Sequence, residues 1–208
     1  MQEMMLARAK ALLQSGDVQR VLGWQTGEFV YDVTPAVFET AEELDAKFVY
    51  NDFCGSNLSK YLVKESHKEG RVLVFLKPCD TYSFNQLIKE HRIVRENIYV
   101  IGVPCAGKTD GETLKGLGLK GILGVKDAGD SFTVETLYGE KTVSKQEALP
   151  ERCRSCKSHK HMVYDELLGE EGEVLDSHRF DMVEKIESMS ADERFAFWQG
   201  ELSRCIRC

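Results

Sequence analysis

The sequence has no excess of basic residues: 27 Lys and Arg stand against 34 Asp and Glu, a net charge of -7. That balance argues against nucleic acid as an obligate partner, because nucleic-acid-binding domains usually carry a basic face. It also has no apolar run approaching the roughly 18 residues of a membrane span. The amino terminus, Met1-Gln-Glu-Met-Met-Leu6, does not show the charged-then-apolar order of a signal peptide. A cytoplasmic protein with no membrane span and no nucleic-acid partner is expected. There is no internal repeat and no low-complexity tract. The 208 residues, 42% hydrophobic and 29% charged, suit one well-buried soluble domain with an appendage.

What the chain does have is cysteine, seven in all, at positions 54, 79, 105, 153, 156, 205 and 208. Disulfides are rare in a reducing compartment, so the paired spacings point to metal binding or redox chemistry. An isolated cysteine is equally well read as a small buried apolar residue. That reading suits two Cys-x-x-Cys pairs poorly.

Two strands organise the middle of the chain. Val72-Leu-Val-Phe-Leu76 reads as a buried strand and leads into Lys77-Pro-Cys-Asp80, and Asn97-Ile-Tyr-Val-Ile-Gly102 leads into Val103-Pro-Cys-Ala-Gly107. Each strand delivers a Pro-Cys pair at its carboxyl end, where parallel α/β sheets bind ligands. Around them, helices are expected from Met4 to Leu13, from Leu58 to Glu65 behind Ser56-Asn57, and from about Ser83 to His91. A hairpin is expected with strands Val18 to Trp24 and Phe29 to Val33, and an antiparallel pair with strands Ser131 to Leu137 and Lys141 to Ser144. The fold class is therefore α/β, a parallel or mixed sheet with flanking helices, Cys-rich loops at the strand ends and a helical C-terminal extension. The expected division is an iron-sulfur domain over residues 1–175 and a helical segment over residues 176–208. In the latter, Ser190 caps a helix from Ala191 to Leu202, with Glu193 completing the box.

Each iron of a cubane cluster takes one sulfur from the protein, so four thiolates are needed on a concave surface. Cys79, Cys105, Cys153 and Cys156 are the expected ligands of a [4Fe-4S] cluster, with Cys54 as the spare. Lys77, Lys108, Arg152, Arg154 and Lys157 would offset its negative charge. Zinc is the chemical rival: Cys153-x-x-Cys156 with Cys205-x-x-Cys208 supplies four sulfurs, but over a gap far beyond the roughly 15 to 20 residues of a zinc ribbon. Neither pair opens a helix directly after a strand as a thioredoxin-like motif requires. Cys205 and Cys208 alone cannot hold a ferredoxin cluster. Their expected role is the start of a second cluster site in a chain cut short.

Two further motifs compete. Gly102-Val-Pro-Cys-Ala-Gly-Lys-Thr109 matches the phosphate-binding loop and follows an apolar strand, but Asp110-Gly111 and the glycines at 116, 118 and 121 make a weak following helix. A P-loop nucleotide-binding protein is thus the other alternative. Gly116-Leu-Gly-Leu-Lys-Gly121 fits a dinucleotide fingerprint without a strand in front and reads as a turn. His67, His91, His159, His161 and His178 read as surface residues, Trp24 and Trp198 as core or interface residues, and the acidic run Glu166 to Glu173 as a solvated loop.

With those residues in view, the chain resembles the beta subunit family of coenzyme F-420-reducing hydrogenases and formate dehydrogenases, together with shorter iron-sulfur relatives in anaerobes. The likeness runs from about Val72 to Gly169. It rests on Pro78-Cys79, on Cys105-Ala-Gly107, and on Cys153-x-x-Cys156 followed by Asp165-Glu-Leu-Leu-Gly169. The family's Gly-Asp after the cysteine pair reads Gly169-Glu170 here, and the chain is shorter than the full beta subunits. The resemblance implies a [4Fe-4S] cluster, with FAD in larger members passing electrons to the deazaflavin. It implies one-electron relay within a hydrogenase, formate dehydrogenase or heterodisulfide-reductase type of complex. The partners would be other redox subunits and a ferredoxin or a deazaflavin or flavin carrier.

Overall fold

A computed structural model describes residues 1–173 and 180–206. The chain divides into two compact units, Met1–Leu175 and Asp176–Cys208. Helix α1 (Gln2–Ser15) buries Met5, Ala9 and Leu12, spaced to share one face, and stops at Gly16, whose φ of 78° is the left-handed cap that glycine adopts without strain. Strands β1 (Arg20–Thr26) and β2 (Val33–Phe38) pair antiparallel from Val21↔Phe38 to Thr26↔Val33.

The hairpin is therefore present, but its second strand starts where the sequence reading ended it. Phe29 to Tyr31 belong to the turn instead, which is closed by Gly27 N–H to the Asp32 carbonyl at 2.7 Å and Asp32 N–H to the Phe29 carbonyl at 2.9 Å. Helix α2 (Ala41–Lys47) is capped by the Thr40 hydroxyl. Asn57 Oδ1 accepts from both the backbone and the hydroxyl of Ser59 and opens a 3-10 turn, Ser59–Tyr61, that runs into α3 (Leu62–Glu65).

Strand β3 (Val72–Leu76) is buried along its whole length, as a central strand covered on both faces must be. Helix α4 (Pro78–Lys89) begins five residues earlier than its apolar periodicity implies. Pro78 at its first position has the φ a helix needs, and Asp80 accepts the Lys77 N–H at 3.2 Å. Strand β4 (Ile98–Gly102) follows, then the short helix α5 (Gly111–Gly116). Strands β5 (Ile122–Asp127), β6 (Ser131–Thr136) and β7 (Gly139–Ser144) form a separate antiparallel sheet; β6 and β7 are the expected pair. Gly118 and Gly121 take positive φ just before β5, so the second glycine motif is a turn.

Two single turns of helix, α6 (Lys145–Ala148) and α7 (Glu151–Arg154), lead to the last strand of the unit, β8 (Glu166–Leu167). The main sheet is ordered β2-β1-β3-β4-β8, antiparallel only between β1 and β2. It is the mixed sheet flanked by helices that the sequence implies. The cysteine loops differ from expectation in detail: Cys79 lies in the first turn of α4 and Cys153 in α7, while Cys105 follows β4 in irregular backbone. The acidic run is not a solvated loop at its start. Glu166 and Leu167 pair with Ile101 and Gly102, and the Arg8 guanidinium meets the Glu166 carboxylate at 2.8 Å.

In the second unit, α8 (Asp181–Ser188) precedes α9 (Ala191–Leu202), where the Ser190 and Glu193 capping box forms as expected. Among the described residues no helix is long and apolar enough to cross a membrane.

Gly23 in β1 shows how closely the core is filled. A Cβ there would lie 2.7 Å from the Phe48 ring, which is itself held between the rings of Phe38 and Phe75 at 6.0 and 5.7 Å. Gly23→Ala is expected to lower stability by about 1–3 kcal/mol, the usual cost of overpacking, in a urea unfolding curve. An unchanged midpoint would show that Phe48 can move aside.

Candidate functional site

Strands β3 and β4 are parallel and in register from Val72↔Ile98 to Leu76↔Gly102. Their carboxyl ends therefore stand side by side, and each is followed by a Pro-Cys pair. Past them lies a cavity of about 190 Å³ lined by Cys79, Cys105, Cys153 and Cys156 together with Gly55, Lys77, Gly107, Lys108, Arg152, Ser158 and His159. The four cysteines come from three distant stretches of chain and meet around one space. Among the described residues, no three His, Cys, Asp or Glu side chains converge on a point that could hold a single metal ion. The four cysteines share the lining of one cavity instead.

Ser158 N–H donates to Cys156 Sγ at 3.4 Å, and the Gly107 amide lies beside Cys105 and favours its thiolate. Cys79, at the second position of α4, sits at the amino end of a twelve-residue helix, where the dipole favours negative charge. It keeps an exposed edge at the cavity mouth while protein walls its inner side. Burial pushes the Cys79 thiol up to about 12; the Asp80 carboxylate adds to this and Lys77 opposes it. Burial raises Cys105 also, against the Gly107 amide and the Lys108 and Lys77 ammoniums. Binding a metal requires thiolates, so filling the site would release these protons.

Two buried lysines line the space. Lys77, 2% exposed, pairs with Asp80 at 2.8 Å, donates to the Ser56 carbonyl at 3.0 Å and lies 4.6 Å from the Trp24 ring centroid. Lys108, 7% exposed, donates to the Asn51 carbonyl at 2.9 Å and lies 4.1 Å from the Tyr50 ring centroid. At the exposed side, Arg152 pairs with Asp110 at 2.9 Å.

The phosphate-loop match does not fold as one. Thr109 Oγ1 donates to the Ala148 carbonyl at 2.6 Å, and the amino end of the six-residue α5 is already capped by the Asp110 carboxylate. A phosphate would meet that carboxylate in place of free amides. Cys54 does not line the cavity: its thiol is fully buried in the core, takes the Asn51 N–H at 3.2 Å and faces the Val49 carbonyl at 3.6 Å. Cys205 is exposed in the second unit, whereas Cys208 lies outside the described residues, as does His178.

His161 was expected at the surface, and its side chain is fully buried. Its Nε2 donates to the Leu76 carbonyl at 3.1 Å, and its Nδ1 lies 3.1 Å from the Glu171 carboxylate. The ring thus ties the segment after Cys156 to the end of β3. The Gly107 and Ser158 amides and the His161 clamp were not visible in the sequence, where His159 and His161 read as surface residues. His159 does line the cavity, its Nε2 3.1 Å from the Cys156 carbonyl.

No family model matches the chain. It is 31% identical over 104 residues to the F420-dependent formate dehydrogenase 1 subunit beta of Methanococcus maripaludis, which spans 50% of this chain and 27% of that protein. Over 98 residues it is 32% identical to the F420-dependent formate dehydrogenase subunit beta of Methanocaldococcus jannaschii, spanning 47% of this chain and 26% of that one. The aligned part is thus about a quarter of the length of these curated relatives. In structure it is similar to a chain of the F420-reducing [NiFe] hydrogenase complex from Methanosarcina barkeri, with a TM-score of 0.59 and 16% identity over 74% of this chain and 59% of that one. The resemblance to beta subunits of F420-dependent formate dehydrogenases therefore stands in sequence, and the likeness to the F420-reducing hydrogenase complex is one of fold.

The Lys77 and Asp80 pair makes the cavity floor sensitive to single changes. Lys77→Ala strands a buried carboxylate and is expected to cost about 3–5 kcal/mol in chemical denaturation, whereas Lys77→Met with Asp80→Leu should recover most of that loss. Equal losses in the single and double variants would rule out the ion pair as the cause.

Proposed function

We propose that this chain is an iron-sulfur electron-transfer component of an oxidoreductase complex, in which Cys79, Cys105, Cys153 and Cys156 hold a [4Fe-4S] cluster. One observation carries the reading: four cysteines from three separate stretches line a single cavity with two buried lysines and no carboxylate among its described lining residues. The donor set fits the group. Thiolates suit iron-sulfur clusters, and a cluster that sits between its ligands holds them farther apart than the roughly 2.3 Å Zn–S bonds of a tetrahedral zinc site do. Four cysteines lining one cavity of about 190 Å³ suit the former. When bound, the cluster would supply one-electron transfer.

The protein's own part is support and electrostatics. Register between β3 and β4 sets side by side the strand ends from which Cys79 and Cys105 follow, and His161 fastens the loop that brings the other two. The Ser158 amide donates to Cys156 Sγ and the Gly107 amide lies beside Cys105, outer-shell groups of the kind that tune a cluster's potential. The formate dehydrogenase likeness supports redox subunits as partners, with a ferredoxin or a flavin-type carrier as donor or acceptor.

FAD, the second cofactor that the resemblance implies, has a weaker claim on these residues. A cleft of about 330 Å³ shares Lys108 with the sulfur cavity and offers Tyr50, Phe53 and Phe132 to a flat ring. Asp52 and Asp127 line it as well, and carboxylates repel a pyrophosphate.

Anaerobic reconstitution with iron and sulfide should give a brown protein with about four irons per chain, as a Cys-ligated cubane requires. Cys153→Ser should lose the cluster, and Cys208→Ser should keep it. A colourless sample with stoichiometric zinc, or the reverse pattern in the two variants, would overturn the ligand assignment.

A further inference from the structure

The two buried lysines at the cavity are not equivalent. Lys77 has a carboxylate of its own in Asp80. Lys108 has none: among the described residues its ammonium makes no ion pair and is met by a backbone carbonyl and the face of Tyr50. Asp52, whose charge reaches Lys108, is itself paired with Lys145 at 3.7 Å. An unpaired buried charge is among the most costly things a fold can carry. Its side chain lines both the sulfur cavity and the cleft of Tyr50, Asn51 and Asp52, and Cys105 and Cys54 outrank Asp52 among the negative groups that bear on it, so the compensating charge is to be sought among the sulfurs.

We infer that Lys108 is the counter-charge to the cofactor held by the four cysteines and sets its reduction potential, while Lys77, neutralised by Asp80, serves the fold. This rests on the iron-sulfur reading. Four thiolates around a dicationic iron-sulfur core sum to a dianion, and one added electron makes a trianion. A fixed cation in a low-dielectric wall stabilises the trianion more than the dianion, because the attraction grows with the charge. Lys108 therefore favours the reduced form, and losing its charge should lower the potential. The lysine that completes the phosphate-loop letters would then act on an anion after all, a sulfur-bound one.

The test uses the full chain, reconstituted anaerobically with iron and sulfide, with dithionite as the electron source in a mediated titration. Iron content and the visible spectrum are read first, and they report on the iron-sulfur reading alone. The potential is read second. Lys108→Gln should keep its iron and become harder to reduce by about tenfold or more, which for one electron is about 59 mV; Lys108→Arg should lie nearer the unaltered chain. A Gln variant with full iron and an unshifted potential overturns the inference. Should Lys108→Gln fold by circular dichroism but take up no iron while Lys108→Arg takes up the full amount, the counter-charge role stands, and the potential is read on Lys108→Arg, where a displacement of about 59 mV or more overturns the tuning role. Equal loss of iron in both variants overturns it, since a side chain needed for its charge tolerates arginine. Absence of iron from the unaltered chain would remove the reading on which the inference rests.

Discussion

The in-register parallel pairing of β3 with β4 is the constraint on which the rest depends. Five residue pairs, Val72↔Ile98 through Leu76↔Gly102, end together, so the chain leaves the sheet twice at the same height. A register slip by one residue would exchange the two faces of β4 and move its end, with the segment that carries Cys105, relative to the end of β3. Each exit then meets a proline, which fixes backbone direction: Pro78 starts α4 and turns Cys79 into its first helical turn, while Pro104 holds the irregular segment that carries Cys105. The strand ends that precede Cys79 and Cys105 are thereby held side by side by the hydrogen bonds of the sheet.

The other two cysteines arrive by a longer route, and the polar contacts of residues 161 to 171 show how. Asp165 accepts the Val100 N–H at 2.7 Å and pairs with Arg95 at 2.6 Å. Glu166 takes Arg8 and the Tyr99 hydroxyl, and β8 adds to the free edge of β4. His161 then reaches back to the last carbonyl of β3. The Cys153 and Cys156 turn is suspended between α6, which packs beside the small sheet, and this edge. Neither anchor is strong alone, since exposed ion pairs contribute little. Acting on one short segment, they leave it few alternatives.

Much of this was legible in the sequence, for a physical reason. A strand buried on both faces must be an apolar run, so β3 and β4 announce themselves, and the Pro-Cys pairs at their ends mark where the chain leaves the sheet. The Ser190 and Glu193 cap is equally local, and it formed as written. What escaped the reading was every feature whose partner is remote. Glu166 looks solvated until Arg8 is brought to it across more than 150 positions. His161 looks exposed until the end of β3 covers it. The start of β2 was misplaced because Phe29 and Tyr31 have strand-like side chains, while the turn is decided by backbone contacts of Asp32 that leave no mark in hydrophobic pattern. The amides of Gly107 and Ser158 carry no sequence signal at all.

The phosphate-loop letters show where pattern and physics part. Gly102 through Thr109 follow a buried strand, as that motif should, and the loop even ends in a buried lysine facing a cavity. A phosphate site further needs free amides at the start of a helix. Here Asp110 fills that place with a carboxylate, Thr109 spends its hydroxyl on Ala148, and Pro104 has no N–H to offer. In their stead the loop presents Cys105, with the Gly107 amide beside it and burial raising its thiol. The glycine and lysine spacing alone therefore does not make a phosphate site: the same letters here put a buried lysine and a cysteine on the wall of a cavity lined by three further cysteines.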